Sequence, residues 1–356
     1  MLIAICVASA MALLDEPGGK LLAEYSEPVR GLAWRRNQNA LLIFTKHRVR
    51  ECPSGRSAKL SAHYSSDPPY SQNSYFHLKL NASGTRGIGD GFVLDLRSLK
   101  SWPLATPALW IGDELVKIQT NENGRWDFIR SGRRFRVAKG WHVAGVSDDG
   151  RFAVVNKTAP FHEVDTWLMK INRRTGSAKR ILMFTKSSYD HLYLARVSFN
   201  QELGTWLIHA NDYATDWVQP YLAGPRLSRV RVGLPISKVE NTCHLSWAGP
   251  GSPWTLAARE FFDETDNGSL GLDAYTFDLF NVRTKRTVRL AKLINRWSWY
   301  PGDPGRTVPD RLSFPVLSAP ALDWKTKRFV YSFQTNTSSK VYLISFAKLL
   351  RRSWSQ

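Results

Sequence analysis

"VSDDGRFAVV", residues 146–155, sets four small polar residues, Ser147-Asp148-Asp149-Gly150, directly ahead of an apolar run. Ser and Asp side chains accept hydrogen bonds from nearby backbone amides, and Gly takes positive φ without steric cost, so the tetrapeptide reads as a hairpin turn. A strand beginning at Phe152 sends Phe152 and Val154 to one face and Ala153 and Val155 to the other. All four are apolar, so both faces of that strand need cover from neighbouring layers.

The phrase recurs. "GLAWRRNQNALLIF" (31–44), "PALWIGDELVKIQ" (107–119), "AGVSDDGRFAVV" (144–155), "RVSFNQELGTWLIH" (196–209), "LSWAGPGSPWTLAAR" (245–259) and "ALDWKTKRFVYSF" (321–333) each give an apolar or aromatic anchor, a polar turn and an apolar strand. Downstream of each stands a second phrase of strand, polar turn and short strand: 91–104, 126–137, 166–182, 219–232, 274–290 and 341–353. Two hairpins make a four-stranded antiparallel sheet. Six such units predict an all-β chain folded as a β-propeller of six four-stranded blades, with residues 20–356 as its single domain.

The anchors Trp34, Trp110, Val146, Phe199, Trp247 and Trp324 are unevenly spaced, which predicts insertions at 51–91 and 294–320. Either insertion has room for a seventh, irregular blade. "KLLAEYSEPV", 20–29, is available to close the ring by pairing with the last unit. No amphipathic helix of ordinary length is expected beyond residue 30.

In Ser147, Asp149, Gly150 and "INRRTGSAKRIL" (171–182) the chain resembles the TolB-like, WD-like propeller repeats of exported bacterial proteins; the sixth unit shares Trp324 and "VYLIS" with that pattern. The resemblance implies a propeller fold and an exported location, and does not by itself imply an activity.

The chain has 49 Lys+Arg against 30 Asp+Glu, a net charge of +19. Such a balance attracts polyanions: nucleic acid, acidic polysaccharide, phosphorylated lipid or an acidic protein. The alternative is basic charge scattered over solvated faces, because no basic block exceeds the pairs and triplets of "RSGRRFRV" and "LLRRSW". "MLIAICVASAMALL" within residues 1–19 reads either as a secretory signal peptide, placing the protein in the periplasm or outside the cell, or as an apolar N-terminal strand or helix of a cytoplasmic protein. Cys52 and Cys243 form a pair or stay as free thiols.

Signatures of catalysis are absent from the sequence. No G-x-S-x-G elbow, C-x-x-C pair, H-x-x-x-H or H-E-x-x-H spacing occurs, so no metal and no cofactor is expected. Carboxylates such as Asp148, Asp149, Glu163, Asp216 and Asp266 are plentiful but unpaired by spacing, and "FFDETDNGSLGLDAY" (261–275) has the composition of a calcium loop without its spacing. The candidate ligand site is "NRWSWYPGDPGR" (295–306), where Arg296, Trp297, Trp299, Tyr300 and Arg306 combine rings that stack with guanidinium groups that pair with anions. "HANDYATDWVQPY" (209–221) is a second aromatic loop. The expectation is a monomeric, non-enzymatic module that binds a protein or an anionic polymer through rim loops or the central channel. A carbohydrate-active hydrolase or lyase with its site at the channel mouth is the alternative.

Overall fold

The computed structural model describes residues 19–352, apart from 36–38, 62–77, 105–107, 120–124, 129–133, 137–140, 148–150, 159–163, 173–177, 188–191, 213–217, 225–226, 232–239, 265–269, 295–319, 335–337 and the single positions 46, 82, 90, 112 and 250. Strand β1 (Lys20–Tyr25) comes first. Sheet I follows with β2 (Gly31–Trp34), β3 (Leu41–Phe44), β4 (Arg48–Cys52) and β5 (Ser57–Lys59). Sheet II holds β6 (Lys79–Leu80), β7 (Arg86–Gly89), β8 (Phe92–Asp95) and β9 (Ser101–Pro103). Sheet III holds β10 (Ala108–Ile111), β11 (Glu114–Gln119), β12 (Arg125–Phe128) and β13 (Arg134–Arg136). Sheet IV holds β14 (Trp141–Val146), β15 (Phe152–Thr158), β16 (Val164–Ile171) and β17 (Ala178–Ser187). Sheet V holds β18 (Leu192–Asn200), β19 (Thr205–Asp212), β20 (Val218–Gly224) and β21 (Leu227–Arg231). Sheet VI holds β22 (Glu240–Trp247), β23 (Trp254–Glu264), β24 (Leu270–Asn281) and β25 (Thr287–Ile294). Sheet VII holds β26 (Ala321–Asp323), β27 (Arg328–Gln334) and β28 (Ser339–Ser345), and helix α1 (Ala347–Arg352) comes last.

Sheets I to VI each consist of four consecutive strands paired in chain order, while sheet VII takes β1 as its outer strand beside β28. That exchange ties the two ends of the chain into one sheet and closes the ring, through pairs such as Lys20 with Leu343 and Tyr25 with Ser339. Buried apolar side chains fill the seams between sheets. Val330 and Val341 of sheet VII pack with Leu32 and Ile43 of sheet I. Leu42 and Phe44 of sheet I meet Phe92 and Leu94 of sheet II, and Ile88 and Val93 meet Trp110 of sheet III. Phe152 of sheet IV lies 5.0 Å from Phe199 and 5.3 Å from Trp206 of sheet V. Leu207 meets Ala257 and Phe280 of sheet VI, and Phe277 meets Phe329 and Tyr331 of sheet VII at 5.2 and 5.0 Å. A ring of four-stranded antiparallel sheets packed face to face is a β-propeller.

The opening stretch behaves as read. Ser147 and Phe152 bracket the turn between the first two strands of sheet IV, joined by the Phe152 amide donating to Ser147 Oγ at 3.0 Å and the Ser147 amide donating to the Phe152 carbonyl at 2.9 Å. Phe152, Ala153, Val154 and Val155 are all buried. Positions 148–150 lie outside the described residues.

Two expectations change. The sequence reads as six units with room for an irregular seventh at 51–91 or 294–320, and the structure has seven four-stranded sheets, because the unit that began at 31–44 and resumed at 91–104 is two sheets. The first two strands of the added sheet lie in the 51–91 insertion, and its last two are the phrase at 91–104. Its first strand is only Lys79–Leu80 and its second is the glycine-rich Arg86–Gly89, too short and too small-chained to carry an apolar rhythm. The last phrase, 341–353, does not end in a strand: after Ser345 the chain turns into α1, since β1 already occupies the outer edge. No described helix is long and apolar enough to cross a membrane.

Candidate functional site: a basic rim

Consecutive strands of an antiparallel sheet run in opposite directions, so turns between strands one and two and between strands three and four share one end of the sheet. The connections between strands two and three, and from sheet to sheet, share the other. First strands run parallel around the ring, as the bridge between Ser147 and Val197 shows for sheets IV and V. The same end of every sheet therefore faces the same side.

Cross-links confirm the alignment of the first end. Arg328 Nη2 donates to Asn39 Oδ1 at 3.1 Å between sheets VII and I, and Arg56 Nη2 donates to the Arg97 carbonyl at 2.5 Å between sheets I and II. The Ser83 amide donates to Asp113 Oδ1 at 3.0 Å between sheets II and III. Asn200 Nδ2 donates to the Ser252 carbonyl at 2.9 Å between sheets V and VI. Arg286 Nη2 donates to the Leu350 carbonyl at 3.3 Å, fixing α1 beside sheet VI.

Individual turns at this end are rigid. Asp95 Oδ1 accepts from the amides of Arg97 and Ser98 at 3.1 and 2.9 Å. Asn281 Oδ1 does the same for Arg283 and Thr284, both at 3.0 Å, and Asp323 Oδ1 for Lys325 and Thr326 at 3.1 and 3.3 Å. Such side-chain capping replaces the backbone partners that a turn lacks. Leu99, Lys285 and Lys327 adopt φ of 58°, 61° and 57°, left-handed conformations that glycine would enter freely. The acids serve their own turns. Amide and hydroxyl hydrogen bonds from Ser98, with the Arg97 amide, hold the Asp95 carboxyl below its ordinary range. Burial pushes Asp323 upward, but Thr326 and Arg328 outweigh it and leave that carboxyl lowered. At Glu51 burial likewise acts upward and is outweighed by hydrogen bonds from Ser54 and Arg35 and by the nearby Arg56 charge.

Charge is partitioned between the ends. The third-to-fourth-strand turns are "PSGR" (53–56), "LRSLK" (96–100), "IRSGR" (129–133), "NRRTGS" (172–177), "PR" (225–226) and "VRTKR" (282–286), and "FAKLLRR" (346–352) follows β28 at the same end. These seven segments carry 14 Lys+Arg and no Asp or Glu. The seven second-to-third-strand connections, at 45–47, 90–91, 120–124, 159–163, 213–217, 265–269 and 335–338, carry five Asp+Glu and one Lys. In the described turns of sheets VI, VII, I and II, which are consecutive in the ring, Arg283, Lys285, Lys325, Lys348, Arg351, Arg56, Arg97 and Lys100 are exposed. Arg56 contacts Glu51 at 3.4 Å; among the described residues none of the other seven forms an ion pair. Trp324 and Trp254 beneath this arc are covered by cations, Lys327 Nζ at 3.4 Å from one ring and Arg286 Cζ at 5.8 Å from the other. Burial lowers the Lys327 pKa, outweighing the nearby Asp323 carboxylate.

Arg296, Trp297, Trp299, Tyr300 and Arg306, the candidate site of the sequence, fall in 295–319, outside the described residues, on the chain that connects β25 to β26. The tips of the 209–221 and 261–275 stretches are likewise outside the described residues, between β19 and β20 and between β23 and β24. Cys52 is a half-buried free thiol. Among the described residues no group of three or more His, Cys, Asp or Glu is placed to hold a metal ion. The rim was missed because its bases stand singly or in short groups, dozens of residues apart.

No family model and no curated protein matches the chain. Among solved structures it is similar to an oligogalacturonate lyase in complex with manganese, with 13% identity, a TM-score of 0.39, and 95% of this chain and 99% of that chain covered. A mitotic checkpoint complex gives 13% identity, a TM-score of 0.49 and 93% of each chain. The oligogalacturonate lyase of Vibrio parahaemolyticus gives 10% identity, a TM-score of 0.39, and 93% and 100%. Likenesses at this level do not bear on activity.

Proposed function

We propose that this β-propeller is a non-catalytic binding module that engages a polyanionic partner through its face of short turns. The observation carrying this reading is the segregation of 14 bases and no acid into the seven outer turn segments. Charge concentrated on one rigid face raises the local potential far above that of the same charge spread over the surface, and it steers an anionic partner to that face. Pre-formed turns lose little conformational freedom on binding. Export, through a leader within residues 1–19, belongs to the same proposal and would present the face to cell-envelope anions.

The test is retention on immobilised heparin as salt is raised. The unmodified chain is retained at low salt, and replacing Lys100, Arg283, Lys348 and Arg351 by Gln moves elution to lower salt, whereas Arg48→Gln with Lys59→Gln, exposed at the other end of sheet I, leaves it nearly unchanged. Equal effects from both sets would mean that total charge is responsible and would remove the face from the account. Trp297→Ala and Trp299→Ala extend the same test to the connection between β25 and β26: loss of a salt-resistant fraction assigns those residues a separate ligand.

A further inference from the structure

Resting on the polyanion reading above, we infer that the partner is planar: the basic rim is built to lie flat against an anionic lipid bilayer.

The first reason is the distribution of the cations. A rod or chain crossing a disc-shaped face touches the turns along one path and leaves the others idle. Here the described arc runs through four consecutive sheets, from Arg283 and Lys285 through Lys348 and Arg351 to Arg97 and Lys100. A surface meets cations spread along such an arc simultaneously.

The second reason is relief. The third-to-fourth-strand turns of sheets I, II and VI that carry these cations are only four or five residues long. The outer turns are capped onto their own strands by Asp95 and Asn281, and the cross-links from Arg56 and Arg286 hold neighbouring turns together.

Third, the described turns offer nothing on which bases or sugars could stack. Trp324 is covered by Lys327 and Trp254 by Arg286, and the described large apolar side chains that are exposed, Leu21, Trp102 and Ile181, lie on the outer strands β1, β9 and β17. Single-stranded nucleic acid depends on such platforms. A charged bilayer does not: each basic residue near an anionic surface strengthens binding about fivefold through Coulomb attraction alone.

The experiment is co-sedimentation of the full chain with vesicles of phosphatidylcholine alone and of phosphatidylcholine mixed with phosphatidylglycerol, with heparin and duplex DNA binding measured in parallel. The expected result is salt-sensitive binding to the anionic vesicles only. Neutralising Arg283 and Lys348 to Gln should weaken it on the order of 30-fold, and Lys100→Gln with Arg351→Gln should do the same, because both pairs lie on the arc. Arg48→Gln with Lys59→Gln should leave it unchanged, and equal thermal midpoints of all variants confirm that each is folded. Binding to heparin or DNA without binding to anionic vesicles overturns the planar-partner inference while leaving the polyanion reading standing. Failure to bind any of the three overturns both. Vesicle binding that is insensitive to the rim pairs overturns the assignment of the face.

Discussion

Trp34 Nε1 donates to the backbone carbonyl of Ala321 at 3.3 Å, across 287 residues of sequence and the seam that closes the ring. The relationship repeats. Trp110 Nε1 donates to the Lys79 carbonyl at 3.1 Å, and Trp247 Nε1 to the Ser198 carbonyl at 3.3 Å. In each case an indole on the first strand of one sheet reaches the first strand of the sheet before it. A tryptophan in this position fills the seam with apolar area and satisfies an inner-strand carbonyl. Three of the aromatic anchors that mark the repeat in sequence, Trp34, Trp110 and Trp247, are thus bonds between successive sheets.

Trp110→Phe keeps an aromatic ring in the seam and deletes the indole donor to the Lys79 carbonyl, at a cost of about 0.5 to 1.5 kcal/mol. Urea unfolding should show this loss, and Trp110→Ala should cost more because it also empties the seam. A Phe variant as stable as the parent would remove the indole hydrogen bond from the account.

Asp278 is fully buried on β24 and binds Arg259 Nε at 3.1 Å, Thr276 Oγ1 at 2.9 Å and Arg289 Nε at 2.9 Å. Arg259 is itself buried, so Asp278→Ala strands a guanidinium away from water and should destabilise by about 3 to 5 kcal/mol. Arg289 is 46% exposed on its side chain, and Arg289→Ala should cost no more than about 1 kcal/mol. The two midpoints measured side by side test the asymmetry.

At Gly249 an added Cβ would sit 2.8 Å from Trp324 Cβ, a contact that neither side chain can relieve by rotation. Gly249→Ala should therefore cost about 1 to 3 kcal/mol by displacing Trp324. Gly55, with φ of 73° and open space around it, pays only conformational strain in the corresponding variant. Tryptophan fluorescence should change for the Gly249 variant and stay constant for Gly55→Ala.

Because the Glu51 carboxyl is held below its ordinary range in the folded protein, its ionised form stabilises the fold. That contribution is fully present above the unfolded-state pKa and is lost as pH falls through the lower folded value. Glu51→Gln should lower the thermal midpoint at neutral pH, and the gap between variant and parent should narrow steadily as the solution is acidified below about pH 4. A gap constant from neutrality to pH 3 would contradict the ion pairing of Glu51 with Arg35 and Arg56.

Much of the fold was readable because its determinants are local. The turn at Ser147 and the doubly apolar Phe152–Val155 sequence require a strand buried on both faces, and the anchor-turn-strand phrase located sheet I and sheets III to VII. Sheet II was legible only as room for an irregular seventh unit, because Lys79–Leu80 is two residues long and Arg86–Gly89 alternates glycine with larger residues. The pairing of Lys20–Tyr25 with Ser339–Ser345 was legible only as an available strand near the start of a ring that had to be closed.

By itself the sequence determined strand alternation, turn chemistry and net charge, since these depend on neighbours a few residues apart. Which bases share a surface was decided by the tertiary structure alone. Arg56, Arg97 and Arg283 stand outside the basic groups visible in the sequence, and Arg351 lies in the pair of "LLRRSW". They meet because each follows the third strand of its sheet, and a closed ring of parallel first strands turns that repeated position into one face.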